Sequence, residues 1–155
     1  MGIGLLGIED IGSAAAGPFV VVELAGPPRG KGRPRFGNAG DFVRVWTDKK
    51  TVKYEDALKK VALEQMAGRA PKDCAMTIQV EAGMPIPISW SRKKREAAID
   101  GTLPCITKPD FDNIMKIIGD GLNKVVWRDD SRVIISVFHK FYALDPFLRV
   151  SVWEW

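Results

Sequence analysis

The pattern of apolar and polar positions lays out the elements of this chain before any chemistry is considered. Phe19 to Leu24 (FVVVEL) is a β-branched run that reads as a buried strand, and it stops at AGPPRGKGRPRFGNAG, where the Gly and Pro content predicts an irregular loop. FVRVWT, starting at Phe42, alternates like a second strand paired behind that loop. Asp48 or Thr47 can then cap a helix through KKTVKYEDALKKVALEQMAG, in which Val52, Leu58, Val61, Ala62 and Gln65 recur at helical spacing and Gly68 supplies a stop. MTIQVEAGMPIP reads as a strand that breaks at its prolines, and Ser89 is placed to cap a short basic helix, WSRKKREAAIDG, that closes at Gly101. Pro109 disfavours helix at Lys108, so a third helix starts with Asp110 or Asp112 as its cap and Phe111, Ile114, Met115, Ile118 and Leu122 as its core-facing stripe. RVIISVFHKFYAL and FLRVSVWEW close the chain as two strands joined at Asp145-Pro146. The order strand, strand, helix, strand, helix, helix, strand, strand predicts an α+β fold, a small mixed or antiparallel sheet with helices packed beside it.

Length and composition narrow the class. A chain of 155 residues with 46% hydrophobic content suits one core, read as a domain over residues 19–155 preceded by an arm or extension over residues 1–18. Lys and Arg exceed Asp and Glu by 23 to 19, a mild bias towards a polyanionic partner. Cys74 and Cys105 belong to no CxxC pair and read as small core residues of a protein from a reducing cytoplasm. MGIGLLGIEDIGSAAAGP has no basic n-region, carries Glu9 and Asp10, lacks an apolar run of membrane-spanning length, and has Leu6 where a myristoylation pattern wants Ser or Thr, so no membrane partner is expected. The single histidine, His139, rules out a His-rich zinc site. Gly26-Pro27-Pro28-Arg29-Gly30-Lys31 is one residue short of a P-loop, lacks the following Ser or Thr and precedes no helix, so no nucleotide cofactor is expected.

Where the charges fall says more than their sum. TKPDFDNIMKIIGDGLNKVVWRDDSR, from Thr107 to Arg132, places Asp112, Lys116 and Asp120 four residues apart on one helical face, with Asp110 just before them and Asp129 and Asp130 at the entrance to the next strand. Each motif alone is more often helix capping or a turn than a site. Together with a lysine and basic loops they suit metal-assisted phosphodiester cleavage, because magnesium takes oxygen ligands from a few carboxylates and keeps waters for a substrate phosphate. A lysine on the same face could bind the scissile phosphate. Arg29, Lys31, Arg33 and Arg35 in the first loop, and Arg92, Lys93, Lys94 and Arg95 in the second helix, are the candidates for binding DNA phosphates; a solvated basic surface is the alternative.

KPDFDNIMKIIGDGLNKVVWRDDSRV closely resembles the central motif of the RusA family of Holliday junction resolvases, endonucleases common in phages and prophages, whose pattern is D-x-D-N-x-x-K, an Asp within the helix, and W-x-D-D-[SA]-x-V. PPRGKGRPRF looks like the family's basic N-terminal segment, so the resemblance covers most of the chain from about residue 19. It implies a structure-specific endodeoxyribonuclease of DNA recombination and repair, dependent on magnesium with manganese able to substitute. Such an enzyme acts as a homodimer that cuts four-way branched DNA in symmetric pairs, in the cytoplasm of a bacterial or phage-infected cell. By position, Asp110, Asp112 and Asp130 become the catalytic and metal-binding carboxylates and Lys116 the essential lysine, with Asp129 an assisting neighbour and Asp120 structural. Met1 to Pro18 has no counterpart in the family pattern, and Met84 to Thr107 is longer than in compact members. Two other readings stay open: a non-catalytic protein that binds junctions or single strands, and a phage nuclease of the same fold without junction preference.

Overall fold

The β-branched run after Phe19 forms strand β1 (Val20–Ala25), followed by β2 (Arg35–Ala39), β3 (Phe42–Trp46), helix α1 (Lys49–Met66), β4 (Met76–Pro85), α2 (Arg92–Ile99), α3 (Phe111–Leu122), a 3-10 turn at Asp130–Arg132, β5 (Val133–Ala143) and β6 (Phe147–Glu154). These elements come from a computed structural model that describes residues 17–32, 35–39, 42–46 and 48–155. The expected extension thus lies outside the described residues up to residue 16. Among the described residues the main sheet has four strands in the order β1-β6-β4-β5. Its β1–β6 and β6–β4 pairs are antiparallel and its β4–β5 pair is parallel. The fold is α+β with a mixed sheet, as the element order predicts.

One element departs from expectation. Arg35–Ala39, predicted as irregular loop, is a strand paired antiparallel with β3, with Ala39 opposite Phe42. Its backbone groups are satisfied by the neighbouring strand, and Gly40-Asp41 between the two is a hairpin signal that outweighs the surrounding Gly and Pro content.

The helices owe their positions to their apolar faces. Asp48 caps α1, accepting a hydrogen bond from the Lys50 amide at 3.3 Å, and the helix stops at Ala67 and Gly68, both with positive φ (49° and 79°). Thr51, Leu58, Ala62 and Met66 are its buried residues, while Val52 and Gln65 face solvent. In α3 the buried stripe is Ile114, Ile117, Ile118 and Leu122, with Phe111 55% exposed and displaced from the core. The two helices meet closely at Gly121, where a Cβ would lie 3.0 Å from Leu58 Cδ2. Both pack on one face of the sheet over Val22, Ile78, Val80, Leu148 and Val150, and Trp127 is buried in the same cluster. A smaller cluster of Met84, Ala98 and Tyr142 seats α2 at the far end of β5, with Cys105 packed against it. The cap of α2 is Ser91, which accepts from the Lys94 amide, rather than Ser89; the chain through Ser89 is still a turn. Among the described residues no helix is long and apolar enough to cross a membrane.

Candidate functional site

Helix α3 begins at a carboxylate that does no capping. Asp110 occupies the cap position with extended backbone, and its carbonyl accepts from the Ile114 amide at 3.2 Å, but its side chain makes no capping hydrogen bond. Asp112 follows in the first turn, where the positive end of the helix favours negative charge. One turn on, Lys116 Nζ donates to Asp112 Oδ2 at 3.0 Å, and this contact holds the Asp112 carboxyl below its ordinary range. Asp110, Asp112 and Lys116 are all exposed. The segment before them is pinned to the sheet by Lys140, whose Nζ donates to the carbonyls of Thr107 (2.7 Å) and Pro109 (3.2 Å), and by Phe111, which meets Phe138 edge-on at 5.0 Å.

The basic loop after β1 lies directly on this helix start. Lys31 donates its amide to the Asn113 carbonyl at 2.8 Å. Gly30 is so close that a Cβ there would stand 2.8 Å from Asn113 Cβ and 2.9 Å from Pro109 Cβ. The Lys31 side chain is engaged within the fold, pairing with Glu55 at 2.9 Å and with Asp120. Burial acts to lower its pKa, but Asp120 and Glu55 together outweigh it and leave the pKa raised. Lys31 is therefore a tie between the loop, α1 and α3, and Asp120 is its partner. Arg29 remains exposed at the rim. Arg33 lies outside the described residues, and Arg35 is described as β2 backbone only.

The Asp129-Asp130 turn is built separately. Trp127 anchors it in the core, and Asp129 Oδ1 accepts from the Ser131 amide at 3.0 Å, capping the 3-10 turn, while the Ser131 hydroxyl and amide together keep its carboxyl low. Asp73 holds the turn from below, accepting from Arg128 Nη1 at 3.0 Å and Arg132 Nε at 2.8 Å, with its own carboxyl held low by Arg132 and Arg128. Asp130 is exposed and, among the described residues, in no ion pair. Strand β5 runs antiparallel to α3, with Ser136 beside Met115 and Phe138 beside Phe111, so Asp130, preceding the strand, stands at the opposite end of α3 from Asp110 and Asp112. Among the described residues no three His, Cys, Asp or Glu side chains converge tightly enough to hold a metal ion. One chain thus brings Asp110, Asp112 and Lys116 together and leaves Asp130 apart.

On α2, Arg92 pairs with Glu96 at 2.8 Å and Lys94 lies 3.9 Å over the Trp90 ring, while Lys93 and Arg95 are exposed. Asp73 and Lys140, which position the two acidic segments, give no local sequence signal: their partners lie 31 to 59 positions away.

The family model for endodeoxyribonuclease RusA matches residues 25–153. The uncharacterized protein YqaN of Bacillus subtilis (strain 168) is 32% identical over 130 residues, covering 83% of this chain and 92% of that protein. The family match runs from the end of β1 through all of α1, α2 and α3 and includes both acidic segments and the basic loop, so the chain belongs to the RusA family of endodeoxyribonucleases.

Proposed function

We propose that this protein is a magnesium-dependent, structure-specific endodeoxyribonuclease that resolves four-way DNA junctions by paired, symmetric phosphodiester cleavage in recombination and repair, acting as a homodimer in the cytoplasm of a bacterial or phage-infected cell. The observation that carries the reading is Asp110: a carboxylate at a helix cap position, exposed and not used for capping, beside Asp112 and Lys116 and under a basic loop. An aspartate that stabilised only its helix would be expected to accept from the first-turn amides.

The donor set fits magnesium, which binds through one or two carboxylates plus substrate phosphates and retained waters. Asp110 and Asp112 would hold the ion, with manganese able to take its place. A divalent ion there supplies a more acidic water and offsets charge on the phosphoryl oxygens. Lys116 is kept beside Asp112 by their contact and, being exposed, can turn its ammonium to a non-bridging oxygen of the scissile phosphate. Asp130, the third proposed carboxylate, lies in the separate turn before β5, and a second copy is a natural source of one that completes the set. A two-fold dimer also presents two related sites to the two related strands of a junction.

The test incubates purified protein with labelled four-way, flap and linear duplex DNA, in magnesium and in EDTA. Paired symmetric cuts confined to the four-way substrate and to magnesium are expected. Equal cutting of all three would point to a nuclease without junction preference, and binding without cutting to a non-catalytic protein.

A further inference from the structure

Beyond the acidic helix start, the described residues hold a second concentration of positive charge. A cleft of about 390 Å³ opens between the end of β1 and the first turns of α1, lined by Arg29, Lys50 and Lys53 over the Tyr54 ring and an apolar floor that includes Leu24 and Ala57. Among the described residues no carboxylate lines it. We propose that this cleft grips the sugar-phosphate backbone of a DNA arm and leads it, past Arg29, to Asp110; the proposal rests on the nuclease reading above.

Three observations support it. First, Lys50 and Lys53 are exposed and in no ion pair among the described residues, whereas nearby Lys31 is neutralised by Glu55 and Asp120. The fold has balanced one cation of this region and left the ones facing the cleft unbalanced. Second, beyond the capping Asp48 the first turn of α1 contains no acidic residue, and its lysines oppose the helix dipole. That arrangement is unfavourable in the free protein and becomes favourable when an anion sits among the lysines. Third, the Tyr54 ring lines the cleft, and its buried hydroxyl has no side-chain hydrogen-bond partner, the Arg29 backbone being the polar group beside it. Burial, partly offset by the Arg29 backbone and the Arg29 charge, pushes its pKa up to about 12, so it adds no negative charge to the cleft at physiological pH.

Direction comes from Arg29, which lines a neighbouring groove as well, together with Lys108 and Pro109. The residue after Pro109 is Asp110. Lys50, Lys53, Arg29 and Lys108 thus mark one path that ends at the acidic face of α3. A strand lying along it would be held by phosphates on one side of the scissile bond, which is what positioning a phosphodiester at Asp110 and Asp112 requires.

The test compares the full-length protein with Lys50→Ala/Lys53→Ala and with a control of equal charge change further along the same helix, Lys59→Ala/Lys60→Ala. Binding of a labelled four-way junction is titrated at several salt concentrations in EDTA, and cleavage is followed separately in magnesium. Each lysine that engages a phosphate adds about 0.9 to the slope of log affinity against log salt, so the cleft variant is expected to flatten the slope by up to about 2 while the control leaves it unchanged. An unchanged slope in the cleft variant, an equal shift in both variants, or no DNA binding by the unmodified protein overturns the proposal. Binding with the expected slope change but without cleavage would sink the nuclease reading and leave the cleft standing; cleavage with an unchanged slope does the reverse.

Discussion

Lys116 Nζ stands 3.0 Å from Oδ2 of Asp112, one helical turn earlier on α3. The pair joins a candidate metal ligand to a candidate phosphate-binding ammonium, and it favours the ionised form of the ligand. Because the contact lowers the pKa of Asp112, the carboxylate is favoured in the folded protein, and whatever stability it contributes is complete above the unfolded value of about 3.9 and is lost as pH falls through the lower folded value. Asp112 is therefore expected to stay ionised throughout the range in which cleavage is assayed. In Lys116→Ala its midpoint, followed by NMR of the side-chain carboxyl, should rise towards about 3.9; an unmoved midpoint would show that the lysine does not set it.

Asp110→Asn and Asp112→Asn should each reduce cleavage by more than the roughly 10- to 100-fold seen when a mere supporting partner of a metal ligand is removed. Junction binding should hold or tighten, since removing a negative charge near phosphates cannot weaken attraction. A near wild-type rate in Asp112→Asn, measured under saturating magnesium, would remove that residue from the site.

Lys116→Ala should lower turnover well beyond any change in affinity, because an interaction strengthened in the transition state shows in the rate. Single-turnover cleavage and equilibrium binding on the same variant separate the two effects. A defect confined to binding would make Lys116 a phosphate anchor.

Gly121→Val should destabilise the fold by about 1–3 kcal/mol, since even a Cβ at that position would lie 3.0 Å from Leu58 Cδ2 where α1 crosses α3. Leu58→Ala, which empties the same space, should cost about 2–5 kcal/mol. Urea unfolding followed by tryptophan fluorescence measures both, Trp127 being buried in that core.

Of the four basic residues at the start of α2, Lys93 and Arg95 are exposed with no ion pair among the described residues, while Arg92 is paired with Glu96 and Lys94 stacks on Trp90. If α2 touches DNA, Lys93→Ala/Arg95→Ala should flatten the salt slope by about 0.9 for each phosphate that these side chains engage. An unaltered slope would assign this helix a solvated basic face.

Near neighbours are what the amino-acid sequence could settle unaided. The start of α1 at Asp48 and its stop at Gly68, the amphipathic period of α3 and the run of Asp110, Asp112 and Lys116 on one exposed surface all follow from spacings of one to four residues, which a helix converts directly into geometry. Phase was less secure: Phe111 fits the stripe by spacing, yet β5 draws it aside onto Phe138. Long-range pairings were settled by packing alone. It joined Arg35–Ala39 to β3, gave Lys31 to Glu55 and Asp120, and set Asp73 under Arg128 and Arg132. It also placed Asp130 at the end of α3 away from Asp110, although the family motif groups them. The reason is physical: β5 lies antiparallel to α3, so the chain that leaves the helix at Leu122 turns back along it only after Asp130, and that direction is a property of how the helix packs on the sheet rather than of any local run of residues.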